Sequence, residues 1–208
     1  MVFTGFSEKD FNTFQIEGLD ERMASIKENI QPKFRDIGNV LSQDLSVLTG
    51  NEMFLHIAKH ARRTVNPPKD TWLAICHDKR GYKKHPHFQV GVFDDHVFVW
   101  LAFIYELPNK QDIAFKFLKK AEFVKESIPS SYVISLDHTK KQSLQVNDLS
   151  KKEFKEVLER FQNVKSAEFL VGRHVQADDP LLKDGEQFID FVKETYHTLL
   201  PLYKLSLT

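Results

Sequence analysis

Hydrophobic and polar residues alternate most regularly over residues 87–93, where every second side chain is apolar. The following run, residues 96–105, is apolar at almost every position, and Asp94 and Asp95 lie between the two segments. Short Asp side chains tolerate the dihedral angles of a two-residue turn. A strand that is apolar on both sides is normally covered on both sides. The pattern therefore predicts a β-hairpin whose second strand lies in the centre of a sheet, with helices as its covers.

Further strands are predicted from shorter apolar segments, namely residues 72–76, 132–136, 143–146 (pairing with 132–136) and 167–175. Residues 53–65 are ambiguous, because their apolar positions fit one face of a helix as well as a strand. We favour a strand, or a strand and a turn, because the segment follows a helix stop and leads into the sheet. Asn66, Pro67 and Pro68 end either element.

Helices are predicted where apolar residues recur every three or four positions. In the N-terminal part, a short helix is capped by Ser7, and a long helix covers residues 20–48, with a kink or junction at Pro32 and an end at Gly50. A third helix begins at Pro108 and Asn109 and ends near Ile128. A fourth helix follows the capping box Ser150–Glu153, and a fifth runs from Asp184 to Pro201. Helices and strands interleave without a Gly/Ser/Pro-rich linker.

These elements predict an α+β fold in one domain, residues 1–208, with a largely antiparallel sheet, a central hairpin and amphipathic helices as its cover. The single cysteine, Cys76, lies in an apolar strand and is expected to be a small core residue. Residues 1–11 lack a charged start and an apolar run, and no apolar segment is long enough to span a bilayer. We expect a cytoplasmic monomer that does not bind membranes.

The net charge of 0 hides an uneven distribution. Residues 56–87 hold eight Lys and Arg against two Asp, and five of the nine histidines lie in the same window. Balanced overall charge with local segregation is typical of an anion-binding surface. A solvated loop rich in Lys and Arg is the alternative explanation, and the sequence does not decide between them.

If the surface is functional, Arg offers a planar fork to phosphate or carboxylate, Lys adds a point charge and Tyr82 offers a stacking face. The candidate ligand-binding residues are Lys59, His60, Arg62, Arg63, Arg80, Tyr82, Lys83, His85, His87, Arg173 and His174. We predict a binding or regulatory protein for a phosphorylated or carboxylated small molecule. The alternatives are an enzyme acting on a phosphorylated small molecule, or a nucleic-acid-binding protein, which the absence of any known nucleic-acid motif makes less favoured.

No cofactor or metal is predicted, and whether the protein is an enzyme stays open. The phosphate-binding, dinucleotide-binding and serine-nucleophile motifs are absent. His56 and His60 are four residues apart, but on a strand they lie about 13 Å from each other, too far to share one ion. His77 and His96 flank predicted strands and are expected at the surface.

The stretches LHIAKHARRTVNPPKDTWLAI, RGYKKHPHFQVGVF and VFVWLAFIYE, together with GRHV at residues 172–175, resemble the YktB-like family of uncharacterised cytosolic proteins from Bacillus-type bacteria. The resemblance extends over the whole chain. It implies a single mixed α/β domain with a largely antiparallel sheet. It implies no activity and no catalytic residue.

Overall fold

A computed structural model describes residues 2–208, in which the backbone forms a sheet of seven strands. The strands are β1 (Phe54–Ile57), β2 (Thr71–Cys76), β3 (His87–Val92), β4 (His96–Phe103), β5 (Val133–Ser135), β6 (Leu144–Gln145) and β7 (Phe169–Gln176). Their order in space is β1-β2-β3-β4-β7-β5-β6, and every neighbouring pair is antiparallel. The apolar strand β4 is therefore central, as predicted.

The helices are α1 (Glu8–Asn12), α2 (Leu19–Ser25), α3 (Gln31–Thr49), α4 (Lys110–Lys119), α5 (Ala121–Glu126), α6 (Lys151–Asn163) and α7 (Gly185–Leu207). Local chemistry fixes several of their ends. Ser150 and Glu153 form the predicted capping box of α6, and Asp184 accepts hydrogen bonds from two backbone amides of α7. Gly50 ends α3 at a φ of 69°, in the left-handed region that glycine adopts without strain.

The two faces of the sheet have different covers. One face, here called the helix face, carries apolar side chains such as Val90, Val99 and Val171, which pack with residues from all the helices α1 to α7 in one core. The other, here called the loop face, carries a smaller apolar cluster that includes Phe98 and Trp100. That cluster contains no helical residue among those the structure describes. Loops therefore lie over the second face.

The predicted α+β class, the antiparallel sheet and the hairpin are confirmed. The turn is the two-residue one expected, since the Phe93 amide donates to the His96 carbonyl at 2.9 Å across Asp94 and Asp95. The ambiguous segment at residues 53–65 is a strand, β1, followed by a loop. Helical cover on both faces was the wrong expectation, because burial of an apolar strand requires a cover but does not require a helix.

Two local predictions also need correction, and a third agrees with the structure. The last helix continues past Pro201 to Leu207, because Leu202 and Tyr203 are buried and their packing outweighs one missing backbone hydrogen bond. The predicted helix from Pro108 to Ile128 is broken at Lys120 into α4 and α5. The junction predicted at Pro32 is present: α2 and α3 are joined by a π-helical turn at Ile26–Ile30, and Pro32 lies in the first turn of α3.

Candidate functional site

Polar and aromatic side chains gather on the loop face around Trp72 of β2. The Trp72 indole donates to the Tyr82 hydroxyl at 3.0 Å, and the rings of His60 and His138 lie 5.5 and 6.0 Å from the Trp72 ring. Tyr82 in turn lies 4.9 Å from the ring of His87. Three loops, those after β1, β2 and β5, thus deliver side chains to one place.

Glu168 and His138 form the most strongly bonded pair of this region. Glu168 is only 2% exposed and lies directly before β7, while His138 follows β5 in the neighbouring connection. The carboxylate accepts the backbone N–H of His138 at 2.7 Å and its ring Nδ1 at 2.8 Å, and the backbone N–H of Tyr105 at 3.3 Å. A buried carboxylate therefore fixes both the loop and the ring orientation of His138.

The charge around His138 favours its protonated form. Burial lowers the pKa of the ring, but the hydrogen bond and charge of Glu168, with the charges of Asp70 and Asp137, outweigh burial and leave the pKa of His138 raised. The neutral ring keeps its proton on Nδ1, facing Glu168. Nε2 makes no hydrogen bond with the residues the structure describes. It is the ring nitrogen available to a ligand.

Asp70, just before β2, is a second buried acid near His138. It is 6% exposed, and its carboxyl group makes no hydrogen bond or ion pair with any other residue in the range 2–208. Burial raises its pKa to about 6, although the charges of His138 and Arg63 act in the opposite direction. A buried acid without a partner costs stability, so its presence points to a role other than packing.

His87, by contrast, is a satisfied core residue. Its Nδ1 donates to the His85 carbonyl at 2.8 Å, and its Nε2 accepts from the Gln89 amide at 2.8 Å. Burial lowers the pKa of His87 to about 4. Both ring nitrogens are occupied and the ring stays neutral near pH 7, so His87 forms part of the floor beneath Tyr82.

A cavity of 640 Å³ opens beside His138. We call it the β5–β6 cavity; its chemically distinctive lining residues are Tyr105, Asp137, His138, Lys140, Arg160 and Glu168. Arg160 of α6 is exposed, and its guanidinium makes no hydrogen bond or ion pair with residues 2–208, whereas the Lys140 ammonium lies 3.3 Å from the Asp137 carboxylate. The cavity therefore combines an oriented histidine with two cations.

Asp137, His138 and Glu168 also bring three potential metal-ligand atoms within 4.8 Å of one another. Those atoms already have partners: Asp137 accepts from the backbone and hydroxyl of Thr139 at 3.0 and 2.6 Å, and Glu168 holds Nδ1 of His138. A cation would have to displace these donors. The donor set fits a proton on His138 better than a metal ion between the three residues.

Two predicted basic segments come together in the structure. Arg62 and Lys83 both lie beside Glu106, and Lys83 forms an ion pair with it at 2.8 Å. The fully exposed members of the predicted set are Lys59, Arg62, Arg63 and Arg80. His85 bonds to Asp78 at 3.1 Å. Of the three cavities described for residues 2–208, one of 450 Å³ beside β1 is lined by Lys59, and none by Arg62, Arg63 or Arg80.

Arg173 and His174 do not act together, because neighbouring strand residues point to opposite faces. Arg173 lies on the helix face, where it donates to Thr195 at 2.8 Å and stacks 3.6 Å from the Phe191 ring. His174 lies on the loop face, 4.3 Å from the ring of His96. His96 is 4% exposed, so its expected surface position was wrong. The structure separates Arg173 from the other candidate residues.

Sequence reasoning missed Asp70, His138 and Glu168 as site residues. A usable signal was present: Asp70 and Glu168 are acids directly before buried strands, and His138 follows one. An acid at the start of an apolar strand is held close to the core by the strand itself. The two acids and the histidine lie beside the ends of strands that share a sheet, which makes them candidates for one polar cluster.

Together, fold and site define an antiparallel α+β protein with an acid- and histidine-containing layer under loops and a cavity at its border. The model of a family described as a domain of unknown function, DUF1054, matches residues 6–203. This chain belongs to that family, and the predicted YktB-like membership is confirmed.

Similar proteins are found in several Bacillota. The UPF0637 protein OB1420 of Oceanobacillus iheyensis is 59% identical over 98% of this chain and 97% of its own length. The UPF0637 protein ABC2405 of Shouchella clausii is 59% identical over 100% of this chain and 97% of its own length. A UPF0637 protein of Listeria monocytogenes serotype 4a is 54% identical over the full length of both. These names carry no activity.

Among residues 2–208, none of the helices has the combination of length and apolar character needed to cross a membrane.

Proposed function

We propose that this protein binds a small anionic molecule, carrying a phosphate or a carboxylate, in the β5–β6 cavity. The unpaired guanidinium of Arg160 in the cavity wall carries the proposal. Such a group presents a planar set of donors that matches the oxygens of phosphate or carboxylate. Lys140 adds a second positive charge to the same wall.

The size and polarity of the cavity support a small ligand. Its volume of 640 Å³ lies within the range of about 300–1,000 Å³ that is usual for small-molecule sites. The raised pKa of His138 adds a positive charge to the wall at mildly acidic pH. An anion bound there should therefore bind more tightly as the pH falls through the pKa of His138.

The basic surface predicted from the sequence is the competing location. Arg62 and Arg80 are exposed and carry guanidinium groups without hydrogen bonds to residues 2–208. None of the cavities described for residues 2–208 is lined by Arg62 or Arg80, whereas Arg160 and Lys140 line one together with His138, which favours the cavity. The same exposed cations are the feature that would serve a nucleic acid.

A thermal-shift screen of phosphorylated and carboxylated metabolites, followed by titration calorimetry on the hits, tests the proposal. We expect stabilisation of the wild type and of Arg62→Ala and Arg80→Ala. Binding should weaken by about 10- to 100-fold in Arg160→Gln, the loss typical of one charge-assisted contact.

The screen has three other outcomes, each decisive. Binding lost in Arg62→Ala or Arg80→Ala but kept in Arg160→Gln would move the site to the basic surface. Affinity for oligonucleotides of any sequence that falls steeply with salt would indicate nucleic-acid binding instead. No shift with any anion would overturn the proposal.

A further inference from the structure

Glu168 and His138 are arranged as an oriented acid–imidazole pair, and anion binding alone does not call for this. An anion site needs only positive charge, which Arg160 and Lys140 supply. The pair instead fixes one tautomer, with the Nδ1 proton facing the buried carboxylate at 2.8 Å. The neutral ring then presents the lone pair of Nε2 to whatever approaches it.

His96, on the same face, also has a carboxylate on Nδ1, that of Asp95 at 2.6 Å, but it does not line the cavity. His87, His60 and His56 are arranged differently. His87 has both ring nitrogens bonded, at 2.8 Å each. His60 bonds to Thr71 at 3.1 Å, and His56 bonds to the Asp78 carbonyl at 2.9 Å. Among the histidines the structure describes, His138 is the one that lines the β5–β6 cavity and has a carboxylate behind its ring.

We propose that His138 is a general base and that the β5–β6 cavity hydrolyses phosphate esters. This inference rests on the proposed anion site and names the bound anion as a substrate. Arg160 and Lys140 hold the phosphate oxygens, and Nε2 of His138 faces the attacking water. Glu168 is a positioning residue, since it acts through the imidazole ring.

The chemical step balances with water as the only co-reactant. The water oxygen forms a bond to phosphorus while its proton passes to Nε2 of His138. The bond from phosphorus to the leaving oxygen breaks, and this oxygen keeps the electron pair and takes a proton from solvent at the cavity mouth. The products are an alcohol and a phosphate with one ester bond fewer. Loss of the proton from Nε2 to solvent restores the base.

The charged and titratable groups facing His138 set its pH behaviour. They are Glu168 before β7, Asp70 before β2, Asp137 on its own loop and His87 of β3. The three acids keep the ring protonated to a higher pH. The active neutral form of His138 should therefore appear at a higher pH than that of a free imidazole. Binding of the anion should weaken over the same interval, which predicts a bell-shaped dependence of rate on pH.

Release of p-nitrophenolate from bis(p-nitrophenyl) phosphate and p-nitrophenyl phosphate, measured from pH 5 to 9, tests the inference. The full chain is compared with His138→Asn, His138→Gln, Glu168→Gln and Arg160→Gln, and with His197→Asn as a control at an exposed position of helix α7. Circular dichroism and the midpoint of thermal unfolding identify variants that fail to fold. Two substitutions of His138 are included, so that the test can still be made if one of them does not fold.

We expect His138→Asn to lower kcat/KM by about 100- to 10,000-fold, the usual contribution of a general base. Arg160→Gln should raise KM by about tenfold with little change in kcat. Glu168→Gln should lower kcat. It should also shift the rise of the rate with pH to lower pH, because the pKa of His138 falls without the carboxylate, and a purely structural defect would not cause such a shift. His197→Asn should behave as the wild type.

Phosphate binding is measured by calorimetry on the same preparations. Binding in the cavity without His138-dependent hydrolysis of either ester would overturn the catalytic inference and leave the proposed function standing. Equal rates for the wild type and His138→Asn would also overturn it. Failure of phosphate and both esters to bind would overturn the inference, and the proposed function would then depend on the carboxylated metabolites of the thermal-shift screen.

Discussion

Asp70 places a carboxyl group in the protein interior without a hydrogen-bonding partner from another residue. Burial raises its pKa to about 6, from 3.8 for a free side chain. Between those pH values the folded chain holds a proton that the unfolded chain has released. Stability therefore falls as the pH rises from about 4 to 6, and the loss persists at pH 7. Such a cost is typical of residues retained for function.

We predict that Asp70→Asn stabilises the protein by about 1–3 kcal/mol at pH 7, because an amide carries no charge to bury. The gain should shrink towards pH 4, where the wild-type carboxyl is already neutral. Urea unfolding at both pH values measures it. The same change at exposed Asp178 serves as the control and should alter stability by less than about 0.5 kcal/mol. A destabilised Asp70→Asn would show that the carboxylate has a stabilising partner.

At the scale of residues, the sequence predicted the type of side chain better than its role. His87 and Tyr82 do lie on the loop face, but both ring nitrogens of His87 are already hydrogen-bonded, to His85 and Gln89. Side-chain alternation along β7 places Arg173 on the opposite face. Asp70 and Glu168 could not be assigned, because burial of an acid depends on loops that come from distant parts of the chain.

Strands β4 and β7 approach each other closely at Gly172. A Cβ atom on this residue would lie 1.9 Å from the Val99 carbonyl oxygen, which belongs to backbone and cannot move aside. The contact lies in the centre of the sheet, between the apolar strand and the strand that Glu168 precedes. The spacing of this pair therefore also affects the position of Glu168.

Gly172→Ala should destabilise the protein by about 2–4 kcal/mol through overpacking between two backbones. Gly81→Ala is the matched control, since a Cβ there meets nothing within 4 Å, and it should change stability by less than about 0.5 kcal/mol. Guanidinium unfolding of both variants measures the difference. Equal stabilities would mean that the β4–β7 spacing relaxes at no cost.

Most elements could be predicted because their signals are local. The two-Asp turn, the Ser150 capping box and the Gly50 stop each act within a few residues of the chain. The errors arose where tertiary packing decided the outcome. Helix α7 crosses Pro201 because the residues beyond it are buried, and no local pattern reports that burial.

At the scale of the whole molecule, helices cover one face of the sheet and loops the other, so titratable groups concentrate beneath the loops. Burial lowers the pKa of His60 and His87 to about 4 and that of His174 to about 3. The unfolded chain protonates these rings near 6.5, so it binds more protons than the folded chain between about pH 6.5 and 4. Asp70 and His138, whose pKa values are raised, oppose this effect.

We predict that stability falls as the pH drops from 6.5 to 4.5. His60, His87 and His174, with His96 and His77, whose pKa values burial also lowers, act against Asp70 and His138. The net difference is about one to two protons, or about 1–3 kcal/mol per pH unit. Urea unfolding at half-unit pH intervals gives the slope. His174→Gln should reduce this slope by the equivalent of up to one proton. His197→Asn, at an exposed position, should leave the slope unchanged. A flat profile over this interval would contradict the buried, neutral state of these rings.

Nuclear magnetic resonance of the histidine ring nitrogens tests the anion site at His138 most directly. The full chain, labelled with ¹⁵N, is titrated with inorganic phosphate at pH 6.5 and assigned with His138→Gln. We predict that the Nε2 signal of His138 shifts and saturates, and that the pKa of the ring rises on binding. Arg160→Gln should move saturation to a phosphate concentration about 10- to 100-fold higher, while the signals of His77 and His197 stay unchanged. An unmoved His138 signal, or shifts confined to His60 and His85, would contradict binding in the β5–β6 cavity.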